Sequence, residues 1–407
     1  MPVNLLAPNP AHILPINGVT LGFAKAQIKK WQRNDVMLMQ LAMGSRVAGV
    51  FTQNAFAAAP VQVCRQHLKG GTEIKALIIN AGNANCGTGE QGLKAARDTC
   101  AAVAVALGCD AAAVLPFSTG VILEHLPVDK IISALPQAVS SLAANVWCDA
   151  AQAIMTTDTV HKAASTTAVI GGKTITVTGI AKGVGMLQPD MATMLAYIAC
   201  DAAVAQNALN ALVKEVADAS FNRVTVDGDT STNDSFVLIA TGQAANTEVA
   251  LNSADYAELK TALLKVAQPL AQAIARDGEG ATKFITVNIE GAASVDEAHR
   301  CAKFIAHSPL VKTAFFASDP NLGRLIMAVG NAIPELDTSK VDLFLGNVQI
   351  VQAGGRATSY TEAQGAAVMA AAEITVRVVL GRGAEKTTVW TCDYSYDYVK
   401  INAEYRT

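Results

Sequence analysis

The chain has 407 residues, 51% hydrophobic and only 16% charged, enough apolar material for a large buried core and too much for a disordered chain. A net charge of -3 gives no electrostatic reason to bind nucleic acid or an anionic membrane. The eight cysteines are scattered without a CxxC pair and the six histidines are dispersed, a pattern that fits neither a disulfide framework nor a zinc site. The opening MPVNLLAPNP has two early prolines and no basic leader. It does not read as a secretory signal, so a cytoplasmic protein with reduced thiols is expected.

In chain order, the longest apolar stretch, residues 100–117, is Ala-rich and broken by Gly108 and Asp110. It predicts a buried helix followed by a strand, not a membrane span. Residues 173–180 alternate, with Ile175 and Val177 on one face, and predict a strand. The continuous apolar run MLAYIAC, 194–200, predicts a fully buried strand. Leu209, Leu212, Val213 and Val216 have helical spacing. Strands are expected at 223–226 and 235–241, with a polar loop between them. Leu259, Leu263, Val266, Leu270 and Ile274 mark a long helix with a kink expected near Pro269. Residues 283–289 predict a strand. Ser294 and Glu297 then form a capping-box pattern opening a helix, on which His299 and His307 are expected at the surface. Beyond residue 292 the pattern reads as a separate α/β unit. Its strands are expected at 341–345, 348–352, 374–380 and 387–393, and its helices near 321–329 and 361–372. A soft boundary at 290–300 divides the chain into residues 1–290 and 291–407.

The most informative stretch is KGVGMLQPDMATML, residues 182–195. As a bare pattern it is a glycine-rich turn between two strands. A phosphate loop fits poorly, because the glycines lead into a strand and no GK[ST] follows. The chemistry of Thr193 offers another reading. A hydroxyl is a weak nucleophile without a nearby base, and an N-terminal threonine carries one in its own α-amine, of ordinary pKa about 7.7–8. Freeing that amine requires the Ala192–Thr193 bond to break. The hydroxyl can attack the preceding carbonyl, converting the amide to an ester that water hydrolyses. Glycine-rich flexibility and a small Ala192 favour the approach.

This segment resembles the self-cleavage segment of the ornithine acetyltransferases, also called glutamate N-acetyltransferases, of arginine biosynthesis. FTQNAFAAAPV (51–61), NAGNANCGTGEQG (80–92), STGVI (118–122), MTTDT (155–159), SFNRVTVDGDTSTND (220–234), ARDGEGATKF (275–284), VKTAFFASDPNLGR (311–324) and INAEYRT (401–407) resemble further segments of that family, in family order. The resemblance implies an α/β fold: an αββα sandwich of N-terminal-nucleophile type with a smaller C-terminal α/β domain. It implies self-cleavage at Ala192–Thr193 into chains 1–192 and 193–407, with Thr193 as the acetyl-accepting nucleophile. Thr119 and Gly120 would form the oxyanion hole, through a hydroxyl and a backbone amide. Thr156, Lys182, Thr193, Glu279, Asn402 and Thr407 would line the amino-acid site, where Lys182 suits a carboxylate and Glu279 a side-chain ammonium. Thr156 is preferred to Thr157 as the ligand contact, though spacing does not separate them.

The implied partners are N2-acetylornithine, glutamate, acetyl-CoA as a further acetyl donor, and the chain's own second fragment in a heterotetramer of two large and two small fragments. No cofactor and no metal are expected. The acidic loop 227–234 lacks the spacing of an EF-hand and is read as a buried polar loop supporting the site. The alternatives are an aminopeptidase or amidase with the same nucleophile, a transferase restricted to acetylornithine, and a non-enzymatic binding protein of the same fold.

Overall fold

The computed structural model describes residues 2–187 and 194–404. These residues form three sheets. In the first, the strands run in the order Val19–Ala24, Val36–Leu41, Ala76–Asn83, Val114–Val121, the last two parallel. In the second the order is Arg46–Phe51, Ser235–Ala240, Leu195–Cys200, Lys173–Lys182, Lys162–Ile170, with a parallel pair between Ser235–Ala240 and Leu195–Cys200.

Side-chain alternation sets the layers. A strand points successive residues to opposite faces. Leu195, Tyr197 and Ala199 enter the cluster shared with Leu77, Ile79, Leu115 and Phe117 of the first sheet, so the two sheets pack face to face. Phe117 meets Tyr197 edge-on at 5.2 Å across that interface. Ala196, Ile198 and Cys200 face the other way, onto helices Gln206–Ala219 and Ala254–Arg276. On the far side of the first sheet, Val36, Leu38, Ala76 and Ile78 pack on helices Gly89–Leu107 and Val128–Ser140. The layers therefore run helix, sheet, sheet, helix. The continuous apolar run of 195–200 is explained by burial on both faces.

The third sheet has the order Gly355–Arg356, Val348–Gln352, Asp342–Leu345, Glu373–Val379, Phe284–Ala292, Glu385–Cys392. Its own cluster includes Ile285, Val287, Val376 and Val378 with Cys301 and Ile305 of helix Val295–His307 and Leu325 and Val329 of helix Leu322–Ala332. Phe284, Trp390 and Cys392 instead join the cluster on helix Ala254–Arg276, which seats the third sheet against the sandwich.

Three local expectations are corrected. Residues 223–226 are not a strand: Phe221–Arg223 is a short 3-10 turn, and only Val224 makes a bridge, to Trp390. Helix Val295–His307 is capped by Ser294 accepting from Glu297 N, but the Glu297 carboxylate accepts from Ala293 N and is also held by Arg382. His299 and His307 are half-buried, not at the surface, and burial lowers their pKa values to about 4 and about 3. The expected long helix spans Ala254–Arg276, capped by Ser253, with Pro269 inside it. No helix among the described residues is long and apolar enough to cross a membrane.

Candidate active site

The site lies where the two sandwich sheets end together. Lys182 closes strand Lys173–Lys182 and pairs with Leu195, which pairs in turn with Ser235. From the first sheet, strand Val114–Val121 brings Thr119 and Gly120 to the same end. A cavity of about 240 Å3 opens there, lined by Thr119, Gly120, Thr156, Lys182, Glu279 and Asn402, with Met194 and Asp234 also on its wall. Every candidate within the described residues thus reaches one cavity. Ala192, Thr193 and Thr407 lie outside the described residues. Met194 and Leu187 are the nearest described positions on either side of residues 188–193.

Both of those positions are fixed by residues 224–235. Met186 N and Leu187 N donate to the two Asp227 carboxylate oxygens at 2.6 and 2.7 Å, and Leu187 O accepts from Val226 N at 2.8 Å and from Thr225 Oγ1 at 3.0 Å. Ser235 N donates to Met194 O at 2.8 Å. Asp227 therefore binds backbone, which accounts for an acidic residue in this loop. Among the described residues no cluster of three His, Cys, Asp or Glu could hold a metal ion.

Lys182 joins the two sheets chemically. Its Nζ donates to Thr119 Oγ1 at 2.9 Å and to Thr156 Oγ1 at 2.8 Å. The side chain is buried, and burial lowers its pKa more than the nearby Asp158, Asp234 and Glu279 carboxylates raise it. Glu279 accepts from Thr157 Oγ1 and from Asn402 Nδ2, both at 2.9 Å, while its own N–H donates to Val184 O. The two threonines thus divide the work: Thr156 sits on the cation and Thr157 on the anion. A Cβ on Gly185 would fall 2.4 Å from Glu279 Oε2, so the carboxylate occupies the space that a side chain there would need.

Beneath the site lies a charged cluster that sequence reasoning missed. Lys162 Nζ donates at 2.7 Å to both Asp158 Oδ1 and Asp277 Oδ2, and all three side chains are almost fully buried. Asp158 also accepts from Gly183 N and Thr156 N, and Asp277 from Thr159 N and the Thr159 hydroxyl. One ammonium therefore ties together the Thr156 loop, the glycine turn after Lys182 and the helix end that carries Glu279. Burial disfavours the Asp158 carboxylate, but the Lys162 and Lys182 ammoniums outweigh it and hold its pKa below the usual range. Asp158 and Asp277 sit inside the polar segments MTTDT and ARDGEGATKF, where nothing in the sequence marks them as buried.

Asn233 supports Thr119 and Gly120 from behind, donating to Ala84 O at 2.6 Å and Ser118 O at 2.9 Å. Beside it, Asp234 Oδ2 is buried without a hydrogen-bond partner. Burial raises the pKa of this carboxyl well above its ordinary value, despite hydrogen bonds from Ser231 and the proximity of Lys182. Its side chain stands on the cavity wall.

The ArgJ family model matches residues 20–407. The arginine biosynthesis bifunctional protein ArgJ of Colwellia psychrerythraea is 52% identical over 424 aligned positions, covering 100% of both chains. Similar solved structures include the arginine biosynthesis bifunctional protein ArgJ of Bacillus halodurans, at 39% identity over 50% of this chain and 96% of that chain, with a TM-score of 0.48. Another is the ornithine acetyltransferase of Mycobacterium tuberculosis complexed with ornithine, at 34% identity over 44% of this chain and 94% of that chain, with a TM-score of 0.39. Nearly the whole length matches one family, and the chain belongs to the ArgJ family.

Proposed function

We propose that this chain is an acetyltransferase that moves an acetyl group from N2-acetylornithine to glutamate, giving ornithine and N-acetylglutamate. The chain first cuts itself between Ala192 and Thr193, and the fragments 1–192 and 193–407 stay together. Thr193 is then the nucleophile. Its hydroxyl attacks the acetyl carbonyl while its α-amine takes the proton. The negative oxygen is met by the Thr119 hydroxyl and the Gly120 amide. Collapse expels ornithine, whose nitrogen takes the proton back from the α-ammonium. Glutamate then enters and its α-amine attacks the acetyl carbonyl of the acetyl-Thr193 ester. The ester C–O bond breaks, the amine proton passes through the Thr193 α-amine to the freed threonine oxygen, and N-acetylglutamate leaves.

The observation that carries this reading is the joint placement of Thr119, Gly120, Lys182 and Glu279 in one cavity whose wall includes Met194. A substrate with a carboxylate, an acyl oxygen and a cationic side chain needs a cation, an oxyanion hole and an anion, and these residues offer all three. The steps above use only the chain's own residues, so catalysis is read as cofactor-free; the enzyme is also read as cytoplasmic. By resemblance it assembles as two large and two small fragments. Acetyl-CoA serves as a second, poorer donor; release of free CoA that depends on glutamate and is lost in Thr193→Ala is the expected sign of it.

Intact-mass measurement tests the core of the reading. Wild-type protein should give the two fragments, and acetylornithine without glutamate should add one acetyl group to 193–407. Thr193→Ala should stay a single, inactive chain. Efficient cutting of Thr193→Ala, or an unmodified 193–407 fragment during turnover, would overturn it. Acetate release in place of acetylglutamate would make the enzyme a hydrolase.

A further inference from the structure

A lysine ammonium has three N–H donors and no lone pair, whereas a threonine hydroxyl has one donor and two lone pairs. At the Lys182 contacts, 2.9 Å to Thr119 Oγ1 and 2.8 Å to Thr156 Oγ1, both hydroxyl oxygens must therefore accept. Their hydrogens are directed elsewhere. The Thr119 hydroxyl has no other hydrogen bond among the described residues, and it faces the cavity beside Gly120.

We propose that Lys182 is the electrostatic member of the oxyanion hole: by donating to Thr119 Oγ1 it fixes the Thr119 O–H toward the acyl oxygen and sets a full positive charge one hydroxyl away from the developing oxyanion. This rests on the reading of Thr119 as an oxyanion donor, and Lys182 acts through Thr119 as a positioning residue. Two of its three donors are already used by hydroxyls, which leaves one for a substrate carboxylate. Clamping that carboxylate is thus the smaller part of its work. Burial makes the charge effective, since a donor preorganised in a water-poor site costs no reorganisation as the oxyanion forms. The same burial sets an alkaline limit. If Lys182 loses its proton, its amine becomes an acceptor, and the Thr119 hydrogen can turn toward it and away from the acyl oxygen. The groups that face the ammonium are Asp158, Asp234 and Glu279, which favour its charge, and Lys162, which opposes it; burial outweighs them, so the limit falls below the ordinary lysine value.

The two roles separate with an acetyl donor that has no carboxylate, 4-nitrophenyl acetate. Each variant is assayed as cut protein, verified by mass. Lys182→Gln should slow nitrophenolate release from this ester about 10²–10³-fold, the usual effect of losing an oxyanion-hole donor. It should slow acetylornithine turnover similarly through kcat more than KM. Thr119→Val should show the same loss, and adding Lys182→Gln to it should cost little more. Should Lys182→Gln remain uncut, Lys182→Arg decides: it keeps the charge and both donors, so it should retain the ester rate within about tenfold and lose the alkaline fall in kcat. An ester rate untouched by Lys182→Gln with a raised KM for acetylornithine, full additivity with Thr119→Val, or an unchanged alkaline fall in Lys182→Arg would each return Lys182 to a carboxylate clamp. Wild-type protein that forms no acetylated 193–407 fragment would instead remove the underlying reading of Thr193.

Discussion

Gly120 lies so close to Gly82 that a Cβ built on Gly120 would stand 2.3 Å from the Gly82 carbonyl carbon. The two residues pair across the parallel strands Ala76–Asn83 and Val114–Val121, where the ladder becomes irregular at Asn83. Gly120 also has φ +134°, which L side chains rarely adopt. Gly120 lines the cavity, and the backbone conformation it holds there is open only to glycine.

Gly120→Ala is accordingly expected to damage both fold and chemistry. Relief of the clash must move backbone, at a cost of several kcal/mol, and that displaces the amide from the acyl oxygen. Thermal unfolding should show a lowered midpoint, and acetyl transfer in the surviving folded protein should fall at least a hundredfold. A variant with native midpoint and native rate would show that this amide is not a donor to the reaction.

The Asp158–Lys162–Asp277 cluster gives a second prediction. Removing one partner of a buried ion pair strands the others, a loss of about 3–5 kcal/mol. Lys162→Met leaves two carboxylates facing each other in the core, so a loss at the upper end of that range is expected in urea unfolding. Because the cluster holds both the Thr156 loop and the Gly183 turn, the folded variant should also lose transfer activity. Unchanged urea stability would mean that the ammonium is replaceable by packing alone.

These cases also show what the sequence could reveal. The layers came only through the resemblance. The unbroken apolar run after residue 194 does report a strand buried on both faces, whereas the alternation at 173–180 suggests one buried face and that strand is buried on both from Val177 on. The site residues were legible only through the resemblance: STGVI read alone is a turn after a strand, and nothing in its spacing predicts the approach of Gly82. The charged cluster was not legible, since Lys162 lies 115 positions from Asp277 and meets it only after both sheets have formed. The expected strand at 223–226 failed for a similar reason. Val226 N and the Thr225 hydroxyl hold Leu187 O, and Thr225 N makes only one bond to the third sheet, at Trp390 O.

Asp234 gives a pH prediction. A carboxyl whose native pKa is raised keeps its proton where the unfolded chain, with an ordinary value of about 3.9, has lost it. In that window the native state binds more protons, so stability falls as pH rises from about 4 toward the raised native value. An amide of the same shape has no proton to lose. Asp234→Asn should therefore exceed wild type in thermal midpoint at pH 8 and match it near pH 4. An equal gain at both pH values would trace the effect to packing and not to the buried acid.

The arrangement around Glu279 predicts a difference between the two half-reactions. Its carboxylate is held by Thr157 on one oxygen and Asn402 on the other, and it lines the same cavity as Lys182. Acetylornithine brings a side-chain ammonium to that position, whereas glutamate brings a carboxylate and gains nothing from a negative neighbour. Glu279→Gln keeps the shape and at least one acceptor but removes the charge. The expected result is a KM for acetylornithine raised about ten- to a hundredfold, equivalent to about 1.4–2.7 kcal/mol, with the KM for glutamate unchanged or lowered. Because a ping-pong enzyme meets its donor and acceptor separately, the two constants can be read from the same initial-rate series. Equal increases in both would indicate that Glu279 shapes the cavity without reading the donor's charge. A raised glutamate KM alone would assign the residue to the acceptor step.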